Sequence, residues 1–111
     1  MELKEVLEKR RSVRKFTQEA VPEELVEELL HAAMSAPSAA TENILLRAVD
    51  LGLGAVWCGI HPQKRPVERV RELLGMMEEQ IPLNIIFLGY PGEVPEPRDQ
   101  YQERNVHWVR A

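Results

Sequence analysis

Only two stretches of this chain read as β-strands, and each is apolar on both faces. Residues 55–60, AVWCGI, lie between Gly54 and the His61-Pro62 pair. Residues 83–90, LNIIFLGY, follow Pro82 and close at Gly89 and Pro91. Short apolar runs punctuated by Gly and Pro are the signature of buried strands. A lone strand pair is marginal in water, and strands apolar on both faces need cover on both sides. The chain must therefore wrap its helices around a small sheet, borrow sheet from a partner, or do both.

The helices are legible from apolar spacing. Leu3, Val6 and Leu7 mark a first helix ending in Lys9, Arg10 and Arg11; residues 12–16 then exit in extended form. In that form Ser12 and Arg14 point the same way, because strand side chains alternate. Pro22, a good first helical residue, opens a second helix, with Glu23 and Glu24 at its positive end. Its buried stripe is Leu25, Val26, Leu29, Leu30, Ala33 and Met34, and it stops at the turn Ser35-Ala36-Pro37-Ser38. Thr41 is placed to cap a third helix with Ile44, Leu45, Ala48, Val49 and Leu51 on its apolar side. Gly52 and Gly54 end it. Pro66 opens a fourth helix with Val67, Val70, Leu73 and Leu74 inward and Gly75 as terminator. Residues 91–99 are a polar, proline-rich extension, and residues 105–109 suit a short strand donated to a partner. With 111 residues this is one domain. It divides into N-terminal helices and basic segment (1–40), a helix–strand–helix–strand core (41–92) and a tail (93–111) that is expected to swap onto the partner.

Composition narrows function mainly by exclusion. A net charge of −4 argues against general nucleic-acid binding. No apolar run approaches the length of a membrane span and the N-terminus has no signal-like apolar core, so the default compartment is the cytoplasm. The single cysteine, Cys58, can form no internal disulfide and reads as a buried, inert thiol. Cys, His and carboxylates do not fall at metal-ligand spacing. His31, His61 and His107 form no legible catalytic arrangement with Ser, Asp or Cys, so neither a catalytic cluster nor a metal is assigned.

The densest chemical signal is Arg10-Arg11-Ser12-Val13-Arg14. Guanidinium groups take phosphate in a bidentate manner, and a serine hydroxyl adds a short hydrogen bond. The plainer account is a basic helix end that complements the helix dipole with solvated side chains. Gly52-Leu53-Gly54 lies after a helix and before a strand, the reverse of a dinucleotide loop, and reads as a helix stop. Lys64, Arg65, Arg69 and Arg71 read as a solvated helix face, and Met76 and Met77 as packing.

Taken in order, RRSVRKFTQEAVPEELVEELLHAAMSAPSA, TENILLRAVDLGLGAVWCGIHP, VRELLGMMEEQIPLNIIFLGYPGEVPEPR and a VHW tail resemble the nitroreductase family of flavin-dependent NAD(P)H oxidoreductases. The resemblance implies an α/β (α+β) fold, helices packed around a central sheet, and a homodimer with FMN at the subunit interface. It implies that Arg10, Arg11, Ser12 and Arg14 hold the phosphate and ribityl end, and that Pro37 and Ser38 approach the flavin ring from the partner. Trp57, Cys58 and Gly59 would be the strand end against the ring, and Arg98 the C-terminal phosphate contact. Gln100 precedes Tyr101 where many members carry another arginine. The chemistry implied is ping-pong electron transfer from NAD(P)H to an acceptor such as a nitroaromatic or quinone. One departure stands out. The APSA motif is normally followed by a strand–helix–strand insert, yet Ala39-Ala40 runs directly into Thr41-Glu42-Asn43, so the central sheet is shortened. This admits a second reading, a dimeric remnant or scaffold that binds flavin weakly or not at all. A third is a small anion- or nucleotide-binding module using residues 10–14.

Overall fold

Helix punctuation sets the architecture. The computed structural model describes residues 1–36 and 38–110, with elements α1 (Leu3–Lys9), α2 (Glu23–Met34), α3 (Ala40–Asp50), β1 (Gly54–Gly59), α4 (Lys64–Leu74) and β2 (Asn84–Gly89), then a 3-10 turn at Glu103–Asn105. Gly52 ends α3 at φ 75°, with Leu53 N–H donating to Ala48 O at 2.7 Å and Gly52 N–H to Val49 O at 3.0 Å. Gly75 ends α4 in the same way at φ 62°, with Met76 N–H on Arg71 O at 3.0 Å. A left-handed residue there costs glycine nothing and satisfies the last helical carbonyls.

The sheet is a single antiparallel pair, β1 against β2, running from Gly54 opposite Gly89 to Gly59 opposite Asn84. Opposed residues share a face. Ala55, Ile86 and Leu88 face the helices and join Leu29, Leu45, Ala48 and Leu53 in the main core. Leu29 is only 2% exposed and Ala48 fully buried. The other face carries Val56, Cys58, Ile85 and Phe87.

That second face departs from expectation. Phe87 is 53% exposed, Ile85 and Cys58 are exposed, and burial alternates along β2. This face is covered at its Gly54–Gly89 end by Val13 and Phe16; helices cover the sheet on the other side, through α2 and α3, because α4 packs elsewhere. Its Val67 and Val70 meet Ile60 and Met76 in a separate small cluster. Ile60 thus leaves the strand, and β1 is buried only at its start. Cys58 is accordingly an exposed thiol, not a buried one. Leu30, Met34, Leu73 and Leu74 are exposed rather than inward. Thr41 does not cap α3, which begins one residue earlier; its hydroxyl instead accepts from Asn84 Nδ2 at 2.8 Å. Among the described residues the tail forms no strand within this chain, and Trp108 is 80% exposed.

The radius of gyration is 16.6 Å, against about 13 Å for a close-packed domain of this length. No helix among the described residues is long and apolar enough to cross a membrane.

The extended segment after α1 is laid on the open end of the sheet. Val13 N–H donates to Ala55 O at 3.0 Å, Thr17 N–H to Tyr90 O at 2.8 Å, and Gly92 N–H to Lys15 O at 2.7 Å. Gly54 and Gly89, opposite one another, leave the room. A Cβ on Gly54 would fall 2.8 Å from Val13 Cβ, and one on Gly89 2.9 Å from Phe16 Cδ1. Gly54→Ala should therefore destabilise the chain by about 1–3 kcal/mol through overpacking. A thermal melt checks this; an unchanged midpoint would mean the segment is not seated on Gly54.

Candidate functional site

Docking of residues 12–17 fixes where the arginines go. Arg10 N–H closes α1 on Val6 O at 3.0 Å, and the chain then turns extended. Ser12 pairs with Ala55 in a parallel bridge, and Val13 is buried. Ser12 and Arg14 are therefore turned away from the side on which Val13 is buried.

The three guanidinium groups differ in their surroundings. Arg10 Nε lies 3.5 Å from Glu42 Oε1, with the side chains 31% and 51% exposed. Arg11 carries a buried Nη1 with no hydrogen-bond partner among the described residues. Arg14 is exposed, and its backbone N–H donates to Glu93 Oε1 at 2.9 Å. An unpartnered buried cationic nitrogen costs free energy unless a ligand satisfies it. Arg11 is therefore the member of the cluster whose surroundings ask for an anion.

The remaining site residues lie on other elements. Trp57, 54% exposed, borders a hollow of about 220 Å³ with Thr41, Glu42 and Leu45. Cys58 and Gly59 are exposed, and a Cβ on Gly59 would meet nothing within 4 Å. Ser38 is exposed between α2 and α3; Pro37 lies outside the described residues. Arg98 lines a groove of about 650 Å³ with Lys9, Glu5 and Glu8 at the C-terminal half of α1. It is thus brought to the helix that leads into Arg10, but among carboxylates.

Titration shifts accompany the ion pairs that hold α1 and α3. Lys9 Nζ sits 2.5 Å from Glu5 Oε1, and its hydrogen bond and charge hold that carboxyl below its ordinary range. Arg47 bonds Glu28 at 3.0 Å and also Asp50, which together push its pKa up. Asp50 is held down first by the Met1 ammonium at 3.1 Å and then by Arg47. Among the described residues no group of three or more His, Cys, Asp or Glu is placed to hold a metal ion.

Two residues at the site had no signal in the sequence. Glu42 looks like an ordinary acid in a first helical turn, and Glu93 like part of a polar tail. Both are joined to the arginines only by the fold.

The model of the family described as "Nitroreductase family" matches residues 7–41 and 38–90. The chain belongs to the nitroreductase family. A relative in Methanothermobacter thermautotrophicus, provisionally named NADH dehydrogenase/NAD(P)H nitroreductase, is 31% identical over 165 aligned positions that span 96% of this chain and 86% of its own. A crystal structure from Parabacteroides distasonis under the same provisional name superposes with a TM-score of 0.92 at 25% identity, covering 96% of each chain. NADPH:FMN oxidoreductase from Vibrio harveyi, complexed with NAD+, superposes with a TM-score of 0.82 at 19% identity, covering 98% of this chain and 77% of its own, which bears on the fold alone. Membership of the nitroreductase family makes this chain an oxidoreductase by class.

The orphaned Arg11 nitrogen yields a prediction independent of any ligand. Arg11→Met keeps an unbranched stem and removes the buried donor. The free protein should melt at the same temperature or higher, by an amount worth up to about 1–3 kcal/mol. A clear loss of stability on thermal denaturation would mean that Arg11 is satisfied and structural.

Proposed function

We propose that this nitroreductase-family chain binds FMN and works as an NAD(P)H-dependent oxidoreductase. The observation that carries this reading is the buried Nη1 of Arg11, unpartnered among the described residues, in a segment that also supplies Arg10, Ser12 and Arg14. That donor set fits a phosphate, which takes charge-assisted hydrogen bonds from guanidinium and hydroxyl groups.

In this reading bound FMN would supply the hydride and electron chemistry of a ping-pong reaction between NAD(P)H and an acceptor such as a nitroaromatic or quinone. The protein's part is binding and orientation. Arg10, Arg11, Ser12 and Arg14 hold the phosphate and ribityl end, with Arg98 as a further cationic contact from the α1 groove. Trp57, Cys58 and Gly59 present a strand end whose exposed backbone leaves room for a flat ring. Pro37 and Ser38 belong to the partner's side of the same site. No side-chain acid or base is assigned to the redox step.

We also propose that the chain acts as a homodimer and lacks a segment between Ala40 and Thr41. Exposed Phe87, Met34, Trp108 and Val109 support the first, since large apolar side chains left in water favour association. Two things support the second. The family matches meet at residues 38–41, and 165 aligned positions on a chain of 111 residues require gaps.

A second reading, a scaffold that binds flavin weakly and does not turn over, is favoured by the open sheet face and the large radius of gyration. One experiment separates the two. The purified protein should be yellow or become so on incubation with FMN, should oxidise NADH or NADPH with a quinone acceptor, and should run as a dimer in light scattering. A colourless, inactive protein after FMN incubation would leave the scaffold reading standing.

A further inference from the structure

Glu42 joins the two halves of the proposed site. It pairs with Arg10 at 3.5 Å and also shares the hollow beside Trp57. It comes from the first turn of α3, an element with no other role in the arginine cluster. A carboxylate at that position does two things to an incoming phosphate. It occupies the Arg10 guanidinium, and it adds a like charge close to a group that is itself mostly dianionic at neutral pH.

We infer that Glu42 is a positioning residue that competes with the ligand phosphate for Arg10, so that it sets how strongly the site prefers a phosphorylated flavin over an unphosphorylated one. This rests on the FMN reading above. Binding then exchanges one partner of Arg10 for another. Because an exposed ion pair is weak, the competition is modest and reversible. It tunes the site without closing it.

The test is a fluorescence titration of the full-length protein with FMN and with riboflavin. Four proteins are compared: wild type, Glu42→Gln, Arg10→Ala and the double variant. Glu42→Gln should bind FMN about three- to fivefold more tightly than wild type, as expected for release of an exposed ion pair, with riboflavin affinity unchanged. The gain should vanish when Arg10 is alanine. Glu42→Asp, which keeps the charge, should stay within about twofold of wild type. The inference is overturned if Glu42→Gln leaves FMN affinity unchanged or weakens it. It is equally overturned if the gain persists without Arg10, appears equally with riboflavin, or is matched by Glu42→Asp. If wild type binds FMN and only the Glu42 effect is missing, the FMN reading survives; if neither wild type nor Glu42→Gln takes up FMN, both fall.

Discussion

The close approach of residues 12–17 to the end of the β1–β2 pair is the contact on which everything else depends. It is made by three backbone hydrogen bonds and by two opposed glycines that leave space for Val13 and Phe16. Side chains at either glycine would hold the segment off the sheet. Once seated, it puts Ser12 on the Ala55 face of the sheet and Arg14 at the surface, leaves Arg11 with a nitrogen buried and unpaired among the described residues, and brings Arg10 to the start of α3. A loop free to fluctuate would let Arg11 hydrate, and its orphaned donor would carry no information about a ligand.

The same sheet explains why the molecule looks unfinished on one side. Two strands with a single helical layer bury Leu29, Leu45, Ala48, Leu53 and Ala55 well, but leave Ile85 and Phe87 on the open face. A strand pair with one apolar face uncovered is a surface that solvent penalises and a second protein surface can satisfy. This is the physical ground for the proposed dimer. It also explains why the proposed missing segment matters: an insert of strand–helix–strand is the kind of element that would widen the sheet.

Much of this was legible in the residues. The helices follow from apolar spacing and from Gly52 and Gly75, whose positive φ values do what the pattern implies. The strands follow from β-branched and aromatic runs bounded by Gly and Pro. Ser12 to Phe16 was readable as extended, and residues 10–14 as a basic cluster. Burial was not readable, because Cys58 and Phe87 would be covered or open depending on where α4 packs, and α4 takes Ile60 away instead. Thr41 reads locally as a cap, yet its hydroxyl is claimed by Asn84, 43 residues away. The Arg10–Glu42 and Arg14–Glu93 contacts are non-local in the same sense, and no local pattern encodes them.

In the proposed site the docked arginine segment is a phosphate clamp to which Arg11 contributes. Its most direct test is isothermal titration of the wild type and Arg11→Met with FMN and with riboflavin. Wild type should prefer FMN by at least about tenfold, since a charge-assisted hydrogen bond contributes about 1.5–3 kcal/mol, and most of this preference should be lost in Arg11→Met while riboflavin binding is retained. Equal affinity of the wild type for FMN and riboflavin, or an undiminished FMN preference in Arg11→Met, would contradict it.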